Sequence, residues 1–424
     1  MHARRGCDVL AEYLELAGTE IVNSARAYAY GTDWGLPIDQ CVPCDTLPGA
    51  VGDEPYTTPE DDGAPWWDPA VPESAGVLGF LGLEVSGFST GTISRTPVQL
   101  VGDGAALGVA RRRHREIAYT VMLLTSDDCA VSYGLEWLAS ALQGSACGSC
   151  SGDQACVFAC CPEEGSDGDR EVRHLYDVGL LEGPTVTHVQ EVDDSGFLVT
   201  VEFTLAAGKP WIYREPLEPG SEWTMLADGA VLTVDPDQVW QRCIEPTPCL
   251  EDPQCPPPPL PPRAPIPIAD CYPSGRDTFR QSIISLSPVD QPAWLESVPV
   301  LEVVTGRRPL RRLIVNFWTN PQGGECTDIT DPCNACTGMQ IPYLPARSLL
   351  AVDGRVQRAV VDCPQGAVGT ASTAPTLYGP RGRSFEWPTF PCSTGLCIEI
   401  LSLDVTTAPD ARARVLMVPR SDAG

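Results

Sequence analysis

Nineteen cysteines stand in a chain of 424 residues, and six of them form three Cys-x-x-Cys pairs: Cys41/Cys44, Cys147/Cys150 and Cys333/Cys336. That interval lets two thiolates reach one tetrahedral ion, so each pair is a zinc half-site by spacing. Cys147, Cys150, Cys156, Cys160 and Cys161 place five thiols within fifteen residues. Those are ligands enough for one structural zinc, and they are equally suited to a disulfide-stapled loop or to a set of free thiols. No thioredoxin-like βαβ pattern surrounds any pair, so the expected role is structural and not redox-catalytic. Apart from that zinc, no cofactor is expected.

Other residues match catalytic patterns only in part. Gly87-Phe88-Ser89-Thr90-Gly91 fits the G-x-S-x-G nucleophile elbow, which needs a strand before the serine and a helix after it. Here Thr92, Ile93 and Thr96 follow, β-branched residues that favour another strand, and the segment reads as a β-turn. A base would have to be His114, His174 or His188, and none has a recognisable context. Glu163, Glu164, Asp167 and Asp169 with Gly165 and Gly168 lack the order of a calcium loop and read as a solvated acidic loop. Arg111-Arg112-Arg113-His114-Arg115, the one dense basic run, reads as a solvated strand entry or as a source of bidentate salt bridges to carboxylates at a subunit boundary. No phosphate-binding glycine motif is present, and no catalytic residue is assigned. A hydrolase is the remotest reading.

Composition narrows the field further. Fifty-six acidic residues against 28 basic ones give a net charge of −28, the wrong sign for a sequence-independent nucleic-acid binder. Lys209 is the single lysine, and so strong a preference for arginine is what a GC-rich genome imposes. Proline (42) and glycine (39) demand many turns and break long helices. The longest uncharged apolar window, Ser74 to Leu83, is too short to span a bilayer, so no membrane anchoring is expected.

The elements that must position these residues are mostly strands. Glu20 to Tyr30, Leu78 to Val85 and Thr90 to Leu100 read as strands, with a tight turn at Asp103-Gly104. Ile117, Tyr119, Val121 and Leu123 alternate on one strand face. Ser126-Asp127-Asp128 then offers N-caps, and Val131, Leu135, Leu138 and Leu142 mark one face of the main helix, which Gly144 stops. Val199, Val201, Phe203 and Leu205 form a half-buried antiparallel strand. Pro246 to Pro267 is a polyproline-type linker. Beyond it come strands at Val298 to Val304, Leu310 to Trp318, Cys397 to Val405 and Ala411 to Val418. Leu349 to Val352 and Arg355 to Val361 read as a type I′ hairpin about Asp353-Gly354. The predicted class is α+β, mostly β: a sheet with one main helix over residues 1–220, including a cysteine-rich insertion at 147–169, a connector over 221–272, and an all-β sandwich over 273–424.

Several stretches together resemble one family. They are Asn23-Ser24-Ala25-Arg26-Ala27-Tyr28, Ala64-Pro65-Trp66-Trp67-Asp68-Pro69, Gly102-Asp103-Gly104, Cys129-Ala130-Val131 leading into Gly134-Leu135-Glu136-Trp137-Leu138, and Cys156 to Pro162. Val201 to Gly208, Asp331-Pro332-Cys333-Asn334-Ala335-Cys336 and Ile341-Pro342-Tyr343-Leu344-Pro345 continue the series. Over most of its length the chain resembles the minor tail proteins of long-tailed actinobacterial phages related to distal tail proteins. The resemblance implies a tail-tube-like N-terminal domain closing into a hexameric ring and a galectin-like C-terminal sandwich. It implies a structural, non-enzymatic virion protein of the tail tip, with the tail tube protein, the hub or tip protein and the tape measure protein as partners. DNA would pass through the ring without specific binding. Six copies at −28 each, or −168 in all, would surround that channel and repel phosphate. An alternative is that the C-terminal sandwich adsorbs to cell-wall carbohydrate through Trp294, Trp318 or Trp387.

Overall fold

The computed structural model describes residues 8–422, apart from 39–41, 53–54, 90, 146–151, 166–167, 193–194, 218–221, 235–276, 288–291, 293, 321–325, 327–334, 365–369 and 380–383. The described chain is mostly β and falls into two units, residues 1–215 with 419–424, and residues 216–418.

The first unit comprises β1 (Tyr13–Leu16), β2 (Thr19–Asn23), α1 (Ser24–Trp34), α2 (Leu47–Val51), β3 (Val77–Ser86), β4 (Ile93–Ser94), β5 (Pro97–Gln99), β6 (Ala105–Leu107) and β7 (Arg111–Arg112). β8 (Arg115–Thr125), α3 (Asp128–Ala141), β9 (Asp153–Phe158), β10 (Val172–Val192), β11 (Gly196–Ala207) and β12 (Ile212–Tyr213) complete it. Its main sheet is antiparallel in the order β9-β10-β11-β8-β3. The two alternating runs of the sequence lie side by side in it: Leu123 pairs with Val199, Val121 with Val201, Tyr119 with Phe203 and Ile117 with Leu205. All eight side chains are buried, and the Tyr119 and Phe203 rings stack 5.4 Å apart. Cross-strand apolar pairs of this kind hold register, because a slip of one residue would turn both runs to the opposite face.

Helix α3 covers this sheet. Asp127 caps it by accepting the Ala130 N–H at 2.9 Å. Leu138 and Leu142 are fully buried, each contributing about 2 kcal/mol of apolar transfer. The helix ends at Ala141 with Leu142 as its C-cap, and Gly144 follows at φ +65°, where a Cβ would meet the Asp153 carboxylate at 2.1 Å. Trp66 is drawn onto the helix by edge contacts with Phe80 and Trp137, and its indole N–H donates to the Val77 carbonyl at 2.8 Å.

The expected strand over Glu20 to Tyr30 is corrected. It stops at Asn23, whose side chain caps α1 by accepting the Arg26 N–H at 3.1 Å. Ser24 then accepts the Gly82 N–H at 2.9 Å, and Arg26 pairs with Glu20 at 2.9 Å. The capping asparagine ahead of Ala25 and Ala27 was the helix signal. The strand expected over Thr90 to Leu100 is likewise only the short pieces β4 and β5.

The second unit holds β13 (Thr224–Met225), β14 (Ala230–Val234), β15 (Asp277–Leu286), β16 (Glu296–Val304), β17 (Leu310–Asn320) and β18 (Thr337–Leu344). β19 (Leu349–Asp353), β20 (Arg358–Pro364), β21 (Thr370–Thr373), β22 (Phe390–Pro391) and β23 (Gly395–Leu403) follow, with β24 (Arg412–Ser421) as far as Val418. One sheet runs β14-β15-β23-β17-β18 and the other β24-β16-β19-β20-β21. Leu313, Val315, Phe317, Ile398 and Ile400 of the first sheet share one core with Leu301, Val303, Leu350, Val352 and Val415 of the second, which makes the unit a β-sandwich. The hairpin at Asp353-Gly354 differs from the two-residue turn expected. Asp353 pairs with Arg358, so four residues form the loop, and Gln357 takes the positive φ of 56°. The Gly354 N–H is engaged instead by the Pro299 carbonyl at 3.1 Å. The proline linker lies outside the described residues.

Candidate functional site

Two β surfaces of the first unit carry exposed apolar side chains. The first is an arm: β4 pairs with β7 and β5 with β6, so residues 93–112 run out and back as a two-stranded ribbon. Its apolar side chains face solvent, Val98 at 63%, Leu107 at 69%, Val109 at 81% and Val101 fully. Arginines line it. Arg95 donates to the Gly108 carbonyl at 3.1 Å, Arg113 to Ser94 Oγ at 3.0 Å, and Arg112 lies over the Trp211 ring at 4.1 Å. The second surface is the far half of β10. Beyond Val178, β11 is the only strand paired with β10 among the described residues, and Leu181, Val186 and Val189 are exposed.

The basic run that enters β8 divides in two. Arg111 to Arg113 are exposed, as a solvated strand entry requires, and His114 contacts Glu116 at 2.8 Å. Arg115 turns inward and is buried, with its guanidinium donating to the carbonyls of Gly87, Phe88, Pro210 and Asp422. Burial pulls its pKa below the usual arginine value, against the nearby Asp422 carboxylate, which raises it.

Of the five cysteines expected to cluster, the structure describes Cys156, Cys160 and Cys161. Cys147, Cys150, Cys41 and Cys333 lie outside the described residues. Cys156, on β9, is mostly buried, and desolvation, with Glu15 and Glu215 adding to it, pushes its thiol up to about 12. A thiol so hard to ionise is a poor nucleophile. Cys160 is exposed. Cys161 is bonded to Cys44, a partner 117 residues away that nothing in the local spacing could nominate, with their Cα atoms 5.7 Å apart. Glu12 stands beside them, its carboxylate accepting the Cys44 N–H at 2.8 Å. Thr46 Oγ1 lies 3.1 Å from Cys44 Sγ and donates to the Pro162 carbonyl at 2.7 Å. In the second unit Cys326 and Cys397 form a disulfide, and Cys336 is exposed.

Among the described residues, the remaining candidates do not assemble a reaction centre. Ser89 follows buried Phe88 in a bend that leads to β4, without the helix an elbow needs. His174 has both ring nitrogens engaged. Nδ1 accepts from the Gln154 amide at 2.9 Å, which assigns the proton to Nε2, 2.5 Å from Glu215. Glu163 and Glu164 are exposed. A cleft of about 620 Å³ in the second unit is lined by Arg307, Arg347, Asp362 and Asp410 together with Ser348 and apolar groups. Arg307 and Asp410 neutralise each other there at 3.8 Å. Of the three tryptophans considered for sugar stacking, Trp318 is buried, Trp387 packs edge-on against Phe385 at 4.9 Å, and Trp294 is 64% exposed.

No protein-family model and no curated protein matches the chain. Among solved structures it is similar to the Dit protein of phage SPP1, described as a paradigm of the hub adsorption apparatus in phages that infect Gram-positive hosts. That likeness has 10% identity and a TM-score of 0.36, and covers 81% of this chain and 93% of the other. It is similar also to a chain of the phage P2 baseplate in its activated conformation, with 9% identity, a TM-score of 0.38, and coverage of 84% and 94%.

Proposed function

We propose that the chain is a structural subunit of a phage tail tip: a distal-tail-type protein whose copies close into a ring, six by the sequence resemblance, joining the tail tube to the tip. The observation that carries this reading is the pair of β surfaces in the first unit whose apolar side chains are exposed and which no other described strand pairs. A two-stranded ribbon is marginal alone in water, and a long bare edge invites pairing with another chain. A ring covers both by repeating one contact between neighbouring copies. Charge favours the same partner, because the arm carries Arg95, Arg111, Arg112 and Arg113 while the whole chain stands at −28. The tail tube, hub or tip and tape measure proteins are the remaining partners in this reading. The virion is the place of action, and the ring channel passes DNA by repelling its phosphates.

The test is the mass of the purified full chain by light scattering and native mass spectrometry, followed by electron microscopy of the particle. A closed ring is expected. A chain that stays monomeric at tens of micromolar counts against the reading, and a channel lined by arginine with the carboxylates outside overturns the role given to charge. The exposure of Trp294 favours a second reading, attachment to cell-wall carbohydrate. It predicts that full-length protein binds purified cell wall and that Trp294→Ala weakens the binding.

A further inference from the structure

We propose that the reduced form of the Cys44–Cys161 pair is a zinc(II) site completed by the Glu12 carboxylate. This inference stands apart from the tail-tip reading and does not depend on it. The sulfurs of Cys44 and Cys161 and a carboxylate oxygen of Glu12 all lie within 4.8 Å of one another. Zinc bonds of about 2.3 Å to sulfur and about 2.0 Å to oxygen, arranged tetrahedrally, hold such atoms about 3.5–3.8 Å apart, inside that span. The donors come from three separate segments: the turn before β1, the loop before α2 and the chain after β9. A shared ion would join all three, whereas the disulfide joins two.

The surroundings suit a metal. Cys44 and Glu12 are 1% and 3% exposed, and the site sits against Tyr13, Ala25, Leu47, Phe158 and Val172. Two thiolates and a carboxylate in such a place are costly to bury together, and a divalent cation offsets most of that charge. Thiolate donors select zinc over calcium or magnesium, which take oxygen ligands. The ligands are also held from outside. The Cys44 N–H fixes the Glu12 carboxylate, and Thr46 ties the Cys44 loop to Pro162, the residue after Cys161. The fold keeps thiols elsewhere, since Cys129, Cys156, Cys160, Cys336 and Cys363 stand outside any disulfide. With three protein ligands, water takes the fourth position.

The test measures zinc in the full chain, purified with a phosphine reductant and dialysed free of loose metal, by plasma mass spectrometry. Reduced wild type is expected to hold one equivalent more than Cys44→Ser or Cys161→Ser. Glu12→Gln, which keeps the shape of the side chain, is expected to bind at least 10-fold more weakly in competition with a chromophoric chelator. Cobalt(II) in place of zinc should give a thiolate charge-transfer band that Cys161→Ser removes, and Cys160→Ser should behave as wild type. Equal zinc in wild type and both cysteine variants overturns the proposal, as does loss of zinc on Cys160→Ser with retention on Cys44→Ser. Should the cysteine variants fail to fold, Glu12→Gln decides: affinity equal to that of wild type overturns the site.

Discussion

The Arg115 guanidinium donates to the main-chain carbonyl of Asp422 at 2.5 Å, across 307 residues of sequence, and so fixes that residue into the first unit. The Asp422 side chain accepts from Thr92 Oγ1 at 2.8 Å, at the root of the arm. Arg115 and Asp422 therefore join the base of β8, the arm and the segment after β24 in one half-buried polar knot.

Removing that knot should be expensive. Arg115→Leu leaves the carbonyls of Gly87, Phe88, Pro210 and Asp422 short of a donor. A loss of about 3 kcal/mol or more is expected, read by urea unfolding of the first unit. Arg115→Lys should restore little, since an ammonium cannot fork among several carbonyls. A melt unchanged by Arg115→Leu would refute this account.

The arm should matter to assembly and not to folding. Val98→Asp with Leu107→Asp alters side chains that are 63% and 69% exposed, so the melting temperature should stay within about 2 °C of wild type. If copies assemble as proposed, sedimentation should show smaller species than wild type. A variant that still assembles fully would remove the arm from the contact.

Helix α3 gives a packing test. Leu138→Ala empties a fully buried position under the main sheet and should cost about 2–5 kcal/mol. Hydrogen exchange should show the loss in β8 and β11, with β17 and β23 of the second unit unchanged.

Glu399 gives a pH test in the second unit. It is buried on β23, where it accepts from Gln281 Nε2 at 2.5 Å and Asn316 Nδ2 at 2.9 Å. Burial raises its pKa above the ordinary 4.5, more than the two amides lower it. The folded state thus holds the proton more tightly than the unfolded chain. Its contribution to stability is complete below the unfolded value and is lost as pH rises through the raised folded value. Glu399→Gln stays neutral, so its melting temperature should gain on wild type as pH rises above the ordinary 4.5. A difference independent of pH would show that the group titrates normally.

The sequence alone determined the local features of this protein. Period-two runs located β8 and β11, spacing of three and four residues with Asp127 as cap located α3, and the second unit's main strands were legible in the same way. These patterns are legible because burial of one face writes its period into neighbouring residues. Asn23 carries a cap signal ahead of Ala25 and Ala27, which the strand reading of Glu20 to Tyr30 passes over. The tertiary structure alone decided what depends on distant segments meeting. Nothing near Cys161 points to Cys44, nothing near Arg115 points to Asp422, and the bareness of β10 depends on which strands reach it. Pairing across more than a hundred residues is set by the packing of whole elements, and that leaves no periodic trace in the chain.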